Sequence, residues 1–288
     1  MEGLDPFLDP EPNSDLTNHP FILEHIQNQA ILLQAHQALG QLTQYAHLQF
    51  ARQHRWACFQ IFIVGTYARF LRWDRSGVIV SRRFDYRKNP EPLCTFLWRY
   101  VHANANGRGY DETVCSTSEQ EEEVFKNTIM QRLMDDAPFL IEVDQKEEEG
   151  PMDVAKRHLD TYYAPGHVSR IKVDGKEYLV SRPVVSPVSV ASRGTRGYWA
   201  VAIGRPKGKS KGKSKAKSKA ESQAEPQVVF LKDTWCYDVD GMDQEANILK
   251  ELNKKRVVHV PTFKGHEVVS GEKTNKLEPF LLNANVLD

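Results

Sequence analysis

SRGTRGYWAVAIG (192–204), VVFLKDTW (228–235) and MDQEANILKELNKKR (242–256) follow one another along the chain. The first closes a longer run, VVSPVSVASRGTRGYWAVAIG (184–204), that reads as two short apolar strands around a glycine-bearing turn with Gly194 and Gly197. The second is a strand that carries a lysine, Lys232. The third is an amphipathic helix: Ile248, Leu249 and Leu252 share an apolar face, Glu245 lies near the start, and Asp240 is placed to cap it. VVHVPTF (257–263) reads as one more strand. The order is strand, glycine turn, strand, insert, strand with Lys, helix with Glu, strand.

That order suits a lobe built to hold phosphate. A glycine has no Cβ, so its backbone can approach phosphate oxygens closely. A strand lysine then reaches the α- and β-phosphates of a nucleotide, and a helix glutamate steadies it through an ion pair. The candidates are Gly194, Gly197, Lys232 and Glu245. Taken singly each is ordinary, because two glycines three apart occur in many turns and a strand lysine is commonly an exposed edge residue.

Upstream, residues 1–19 hold three prolines and few apolar side chains, and read as a disordered lead. From Pro20 the spacing of Phe21, Ile22, Ile26, Ile31, Leu32 and Leu33, continued by Leu39, Leu42, Tyr45 and Leu48, predicts helix, with Gly40 either dividing it in two or tolerated inside one. ACFQIFIV (57–64), TYARFLRW (66–73) and VIVSRRF (78–84) form a β meander, turned at Asp74-Arg75-Ser76-Gly77. Residues 91–103 are helical, with Pro90 and Pro92 at the start. Ser118 and Glu121 fit a capping box ahead of a helix bearing Val124, Ile129 and Leu133. IKVDGKEYLVSR (171–182) reads as a hairpin around Asp174-Gly175. The fold class is α+β: a helical and meander region over 20–115, a mixed connector over 116–177, an antiparallel lobe over 178–270 with a disordered Lys-rich insert at 205–226, and a tail at 271–288.

The formal charge of zero, from 38 basic and 38 acidic residues, hides an asymmetry. RPKGKSKGKSKAKSKA (205–220) holds eight basic side chains and no acid; without them 30 basic residues face 38 acidic ones, a net −8. The run reads as a solvated loop, or as a block that attracts nucleic-acid phosphate through Lys207–Lys219; no aromatic is interleaved for base stacking. No apolar run approaches the roughly 20 residues of a membrane helix. The start, MEGLDPFLDPEPNSD, is neither a secretory signal nor a transit peptide. The four cysteines form no CxxC pair and no histidine has ligand spacing, so the expectation is an intracellular protein, nuclear or cytoplasmic, without a zinc site. Trp56, Trp73, Trp98 and Trp199 read as core or half-buried residues.

The wording of these segments resembles the fungal-type protein kinase family. The resemblance runs through IVGTYARFLRWDRSGVIVSRRFDY (63–86), FLWRYVHANANGRGYDETV (96–114), SRGTRGYWAV (192–201), VVFLKDTWCYDVDGMDQEANILKELN (228–253) and VVHVPTF (257–263). It implies a protein-kinase-like N-lobe, with Lys232 as the strand lysine, Glu245 as its partner on the helix C equivalent, and Gly194 with Gly197 as the glycine loop. It also implies phosphoryl transfer from ATP, with magnesium, to a protein Ser/Thr hydroxyl. Three departures stand out. Ser192 holds the place of the usual first glycine. The basic insert separates the second and third strands, where loop closure tolerates length at about 0.6 kcal/mol per doubling. Only 56 residues follow Lys232, and the catalytic-loop Asp and Asn and the Asp-Phe-Gly motif are missing. Arg157-His158-Leu159-Asp160 matches a catalytic loop in letters only, since Pro165 stands where an Asn is needed. The expectation is a chain truncated before its catalytic lobe and inactive alone; the alternative is a non-catalytic scaffold that holds a protein partner. The nuclease-like front of such kinases would need a Glu-x-Lys strand, which is not visible, so nuclease activity is not expected.

Overall fold

The structure is a computed structural model that describes residues 4–12, 19–144, 149–190, 192–204, 225–235 and 245–268. The chain divides into two compact units. The expected α+β class holds, with a helix-and-meander unit followed by an antiparallel sheet and a helix after the lysine strand.

In the first unit, α1 (Gln29–Arg52) is one continuous helix that tolerates Gly40 in its interior. It begins at Gln29, later than the apolar spacing from Pro20 suggests. Asn28 sets the start, because its side chain accepts from the N–H groups of Ala30 and Ile31 at 3.0 and 3.2 Å. Before it, Leu23 takes φ 63°, which no helix accommodates. The buried face of α1 carries Ala35, Leu42, Ala46 and Phe50. The meander forms as β1 (Cys58–Val64), β2 (Tyr67–Asp74), β3 (Gly77–Val80) and the short β4 (Phe84–Asp85), with β2 paired to all three others; the expected third strand, 78–84, is broken after Val80. α2 (Glu91–His102) lays Phe96 and Tyr100 against Phe59 and Phe70. That face turns Trp98 outward, so Trp98 is 63% exposed rather than half-buried, whereas Trp73 is core.

Residues 4–12 are not a loose lead. Arg69 on β2 is 2% exposed, and a buried cation needs counter-charge. Asp5 supplies it at 2.7 Å, Asp9 adds a second carboxylate, and the carbonyls of Ser81 and Phe7 accept from the same guanidinium at 2.9 and 3.2 Å. Phe7 then seals the core beside Phe21. Asp5→Ala is expected to lower stability by about 1–3 kcal/mol, Asp9 balancing the remainder, as measured by urea unfolding.

The second unit spans 113–186 and 195–270, so the stretch read as a connector contributes much of it. Its sheet is antiparallel in the order β5 (Val114–Ser116), β6 (Ser169–Val173), β7 (Lys176–Val180), β8 (Arg196–Ile203) and β9 (Gln227–Asp233). The β6–β7 hairpin turns at Asp174 and Gly175, both at positive φ, as the Asp-Gly pair predicts. α3 (Glu119–Asp135), α4 (Ala137–Asp144) and α5 (Pro151–Tyr162) precede the hairpin. Phe125, Ile129 and Leu133 of α3 meet Ala155, Leu159 and Tyr163 over Leu179 and Val201 of the sheet. Phe125, not Val124, fills the first core place, because 125, 129 and 133 recur every four residues on one stripe. On the other face Ile171, Tyr178, Val180, Tyr198 and Ala200 form a second cluster. α6 (Glu245–Lys254) follows β9; Asp240, read as its cap, lies outside the described residues.

The capping box at the start of α3 is present. Ser118 Oγ accepts from Glu121 N–H at 3.3 Å, and the Glu121 carboxylate accepts from Ser118 N–H at 2.8 Å. The bond from Ser118 N–H, with those from the Ser118 hydroxyl at 3.1 Å and Arg170 at 3.0 Å, holds the Glu121 carboxyl below its usual value. The stabilisation is therefore complete above the unfolded value and is lost as pH falls through the lower folded value. Ser118→Ala should cost about 1 kcal/mol at neutral pH and flatten the acid limb of a thermal-unfolding series.

Two expected strands do not form. Residues 184–190 make a single bridge, Val185 to Gly197, because Pro183 and Pro187 withhold donors from a ladder. Residues 257–263 are irregular: Arg256 and His259 sit at positive φ, and Asn253 holds the segment by donating to Pro261 O at 2.8 Å and accepting from Phe263 N–H at 2.9 Å.

Candidate functional site

β8 and β9 pair with Gly197 opposite Lys232, Arg196 opposite Asp233 and Trp199 opposite Phe230. Strand alternation puts Lys232 on the face of Val228, whose side chain packs against the α3–α5 core. At the Lys232 end that face opens: Phe230 is 60% exposed and the Lys232 side chain 35%. Glu245 opens α6, and its Oε2 accepts from Lys232 Nζ. A carboxylate in the first turn of a helix is favoured by the positive end of the helix dipole. With the glutamate side chain 63% exposed, solvent screens the pair and it contributes little to folding. What the pair does is aim the ammonium.

The flanking residues tie the strand ends. Arg196 is buried, and its Nε donates to Asp233 at 3.1 Å. The hydroxyls of Thr195 and Thr234 lie 2.8 Å apart. These cross-strand links went unnoticed in the sequence, because the register that sets Arg-Gly against Lys-Asp appears only once the strands are paired.

The two glycines have different settings. Gly197 is inside β8, not in a turn, and a Cβ there would approach the Phe230 ring to 2.6 Å and Val185 to 3.2 Å. Gly194 counts with the first unit and has φ +53°, in the left-handed region. Ser192, where the family's first glycine was expected, bends its segment with its own hydroxyl: Oγ accepts from Gly194 N–H at 3.2 Å and donates to Ser189 O at 3.1 Å. The structure thus joins Gly197, Lys232 and Glu245 within the second unit, while Gly194 belongs to the packing of the first.

Arg157-His158-Leu159-Asp160 lies within α5, not on a loop. Leu159 is core, and Arg157 is bound to Asp144 at 2.6 Å and to Glu149 at 2.8 Å. Hydrogen bonds from Arg157 and His158 hold the Asp144 carboxyl below its ordinary range. Among the described residues no three His, Cys, Asp or Glu side chains cluster as a metal site, and no helix is long and apolar enough to cross a membrane. The basic run Lys207–Lys219 lies outside the described residues, and no comparison supports a nucleic-acid partner.

The protein family described as "Fungal protein kinase" matches residues 18–279 of the 288. No curated protein and no solved structure matches the chain.

Proposed function

Because the chain belongs to the fungal protein kinase family, we propose that its second unit is the nucleotide-gripping lobe of a protein Ser/Thr kinase. Lys232 takes the α- and β-phosphates of ATP, Glu245 holds the ammonium in place, and Gly197, opposite Lys232 on β8, leaves that face without a side chain of its own. The observation that carries this reading is the Lys232–Glu245 ion pair across β9 and α6. In phosphoryl transfer the protein contributes mostly position and charge, and a steadied lysine contributes both. The chemistry at the site fits a phosphate better than a bare cation: a lysine ammonium is present, and Asp233 is already engaged by Arg196. Magnesium, when it accompanies ATP, supplies charge neutralisation between phosphate oxygens.

After Lys232 the sequence contains no His-Arg-Asp and no Asp-Phe-Gly. Those motifs supply the base and the metal-binding carboxylate of the family reaction. Transfer of the phosphate requires both.

The test is a titration of the chain with Mg–ATP and with adenosine, alongside Lys232→Met. Mg–ATP affinity should fall at least about tenfold in the variant, a loss of about 1.4 kcal/mol, while adenosine affinity holds. Equal Mg–ATP affinity in a folded Lys232→Met would refute the grip.

A further inference from the structure

The outer side of α1 carries no charge. Between Gln29 and Ala51 the helix has no Asp, Glu, Lys or Arg, although charged residues make up 26% of the chain. Depletion of charge is what marks the covered part of an interface against ordinary surface. Leu33, Gln37, Gly40, Gln44 and Leu48 recur at helical spacing and form one exposed stripe. Leu33 is 61% exposed and Leu48 38%. Gly40 lies in the middle. An interior glycine weakens a helix relative to alanine, and a Cβ on Gly40 would meet nothing within 4 Å, so packing within the chain does not require the gap. The stripe also reads alike in both directions: Leu33 and Leu48, and Gln37 and Gln44, stand equally far from the Gly40–Gln41 step.

We infer that this stripe is a homodimer interface, in which α1 of a second copy crosses antiparallel at Gly40. Leu33 then meets Leu48 of the second copy, and Gln37 meets Gln44 of the second copy, each contact occurring twice. A two-fold interface needs such self-complementarity, because one patch meets its own copy. Glutamine amides both donate and accept, so they satisfy one another where like charges would repel. A strongly acidic or basic partner would find no charge here to complement. Antiparallel helices set opposite dipole ends side by side, and the missing side chain at Gly40 lets the two axes approach. One helix face is smaller than the roughly 800 Å² per partner of a standard interface, so the dimer should dissociate in the micromolar range.

Sedimentation velocity of the full 288-residue chain over a concentration series reads the association. Two double variants test the register. Gln37→Glu with Gln44→Glu sets carboxylate against carboxylate at both contacts and should weaken the dimer at least about tenfold. Gln37→Lys with Gln44→Glu sets opposite charges there and should keep it. Positions 37 and 44 are too far apart along one helix to pair with each other, so neither variant gains or loses a contact within the chain. Gly40→Leu should weaken association at least about tenfold while raising the thermal midpoint of the monomer, since leucine is the better helix former. A merely structural Gly40 would lower that midpoint instead. Lys232→Met, in the second unit, should leave the dimer unchanged. A chain that stays monomeric throughout the micromolar range would overturn the inference and leave the face to another partner. So would a dimer indifferent to all the α1 substitutions, and so would one weakened alike by the two double variants.

Discussion

Phe125→Ala should destabilise the second unit by about 3–5 kcal/mol. Phe125 is fully buried and packs beside Ile129, Leu133 and Tyr163 against the sheet residues Leu179 and Val201. Truncation removes its apolar contacts and leaves a cavity that helix and sheet can only partly close. Amide hydrogen exchange in β7, β8 and β9 reads the effect most directly, because those strands share the damaged core. Protection there should drop by the full cost of the substitution. Retention of protection would mean that residues 116–177 are a connector after all, with α3 merely resting on the lobe.

The second large effect falls in the first unit. Gly109 has φ +82°, and a Cβ there would lie 2.0 Å from the carbonyl oxygen of Ala57. That neighbour is backbone, so it cannot swing aside as a side-chain tip would. The Gly109 carbonyl also accepts from Trp56 N–H at 3.0 Å, tying the loop to the approach of β1. Gly109→Ala adds about 1–2 kcal/mol for the left-handed backbone and about 1–3 kcal/mol for the forced contact. A loss of about 2–5 kcal/mol follows, measurable by urea unfolding and by exchange of the β1 amides.

The parts legible in the sequence were those fixed by neighbours close along the chain. The meander announced itself through alternation and turn residues, the hairpin through Asp174-Gly175, and the start of α3 through Ser118 and Glu121. Lys232 and Glu245 stood out by order alone, since a strand lysine followed by a helix acid suffices to name them. What stayed hidden depends on distant partners. The lead looked loose because the buried charge of Arg69, which anchors Asp5 and Asp9, is invisible until β2 is placed in the core. Gly197 looked like a turn residue because its position opposite Lys232 is a matter of register. VVHVPTF has strand composition, yet Asn253 and the positive φ values of Arg256 and His259 hold it irregular. The apolar side chains of 184–190 suggested a strand, and two prolines overruled them. Arg75 read as a turn residue, and its burial against Phe50 and Gly194 appears only once the turn is packed.

The proposed grip on ATP is tested most directly by labelling. An acyl-phosphate derivative of ATP transfers its acyl group to a lysine held beside the phosphates, and mass spectrometry then locates the modified residue. Lys232 should be the principal site, suppressed by excess Mg–ATP and weakened in Glu245→Gln, where the ammonium is no longer aimed by an ion pair. Labelling confined to Lys207–Lys219 and indifferent to Mg–ATP, with Lys232 unmodified, would contradict it.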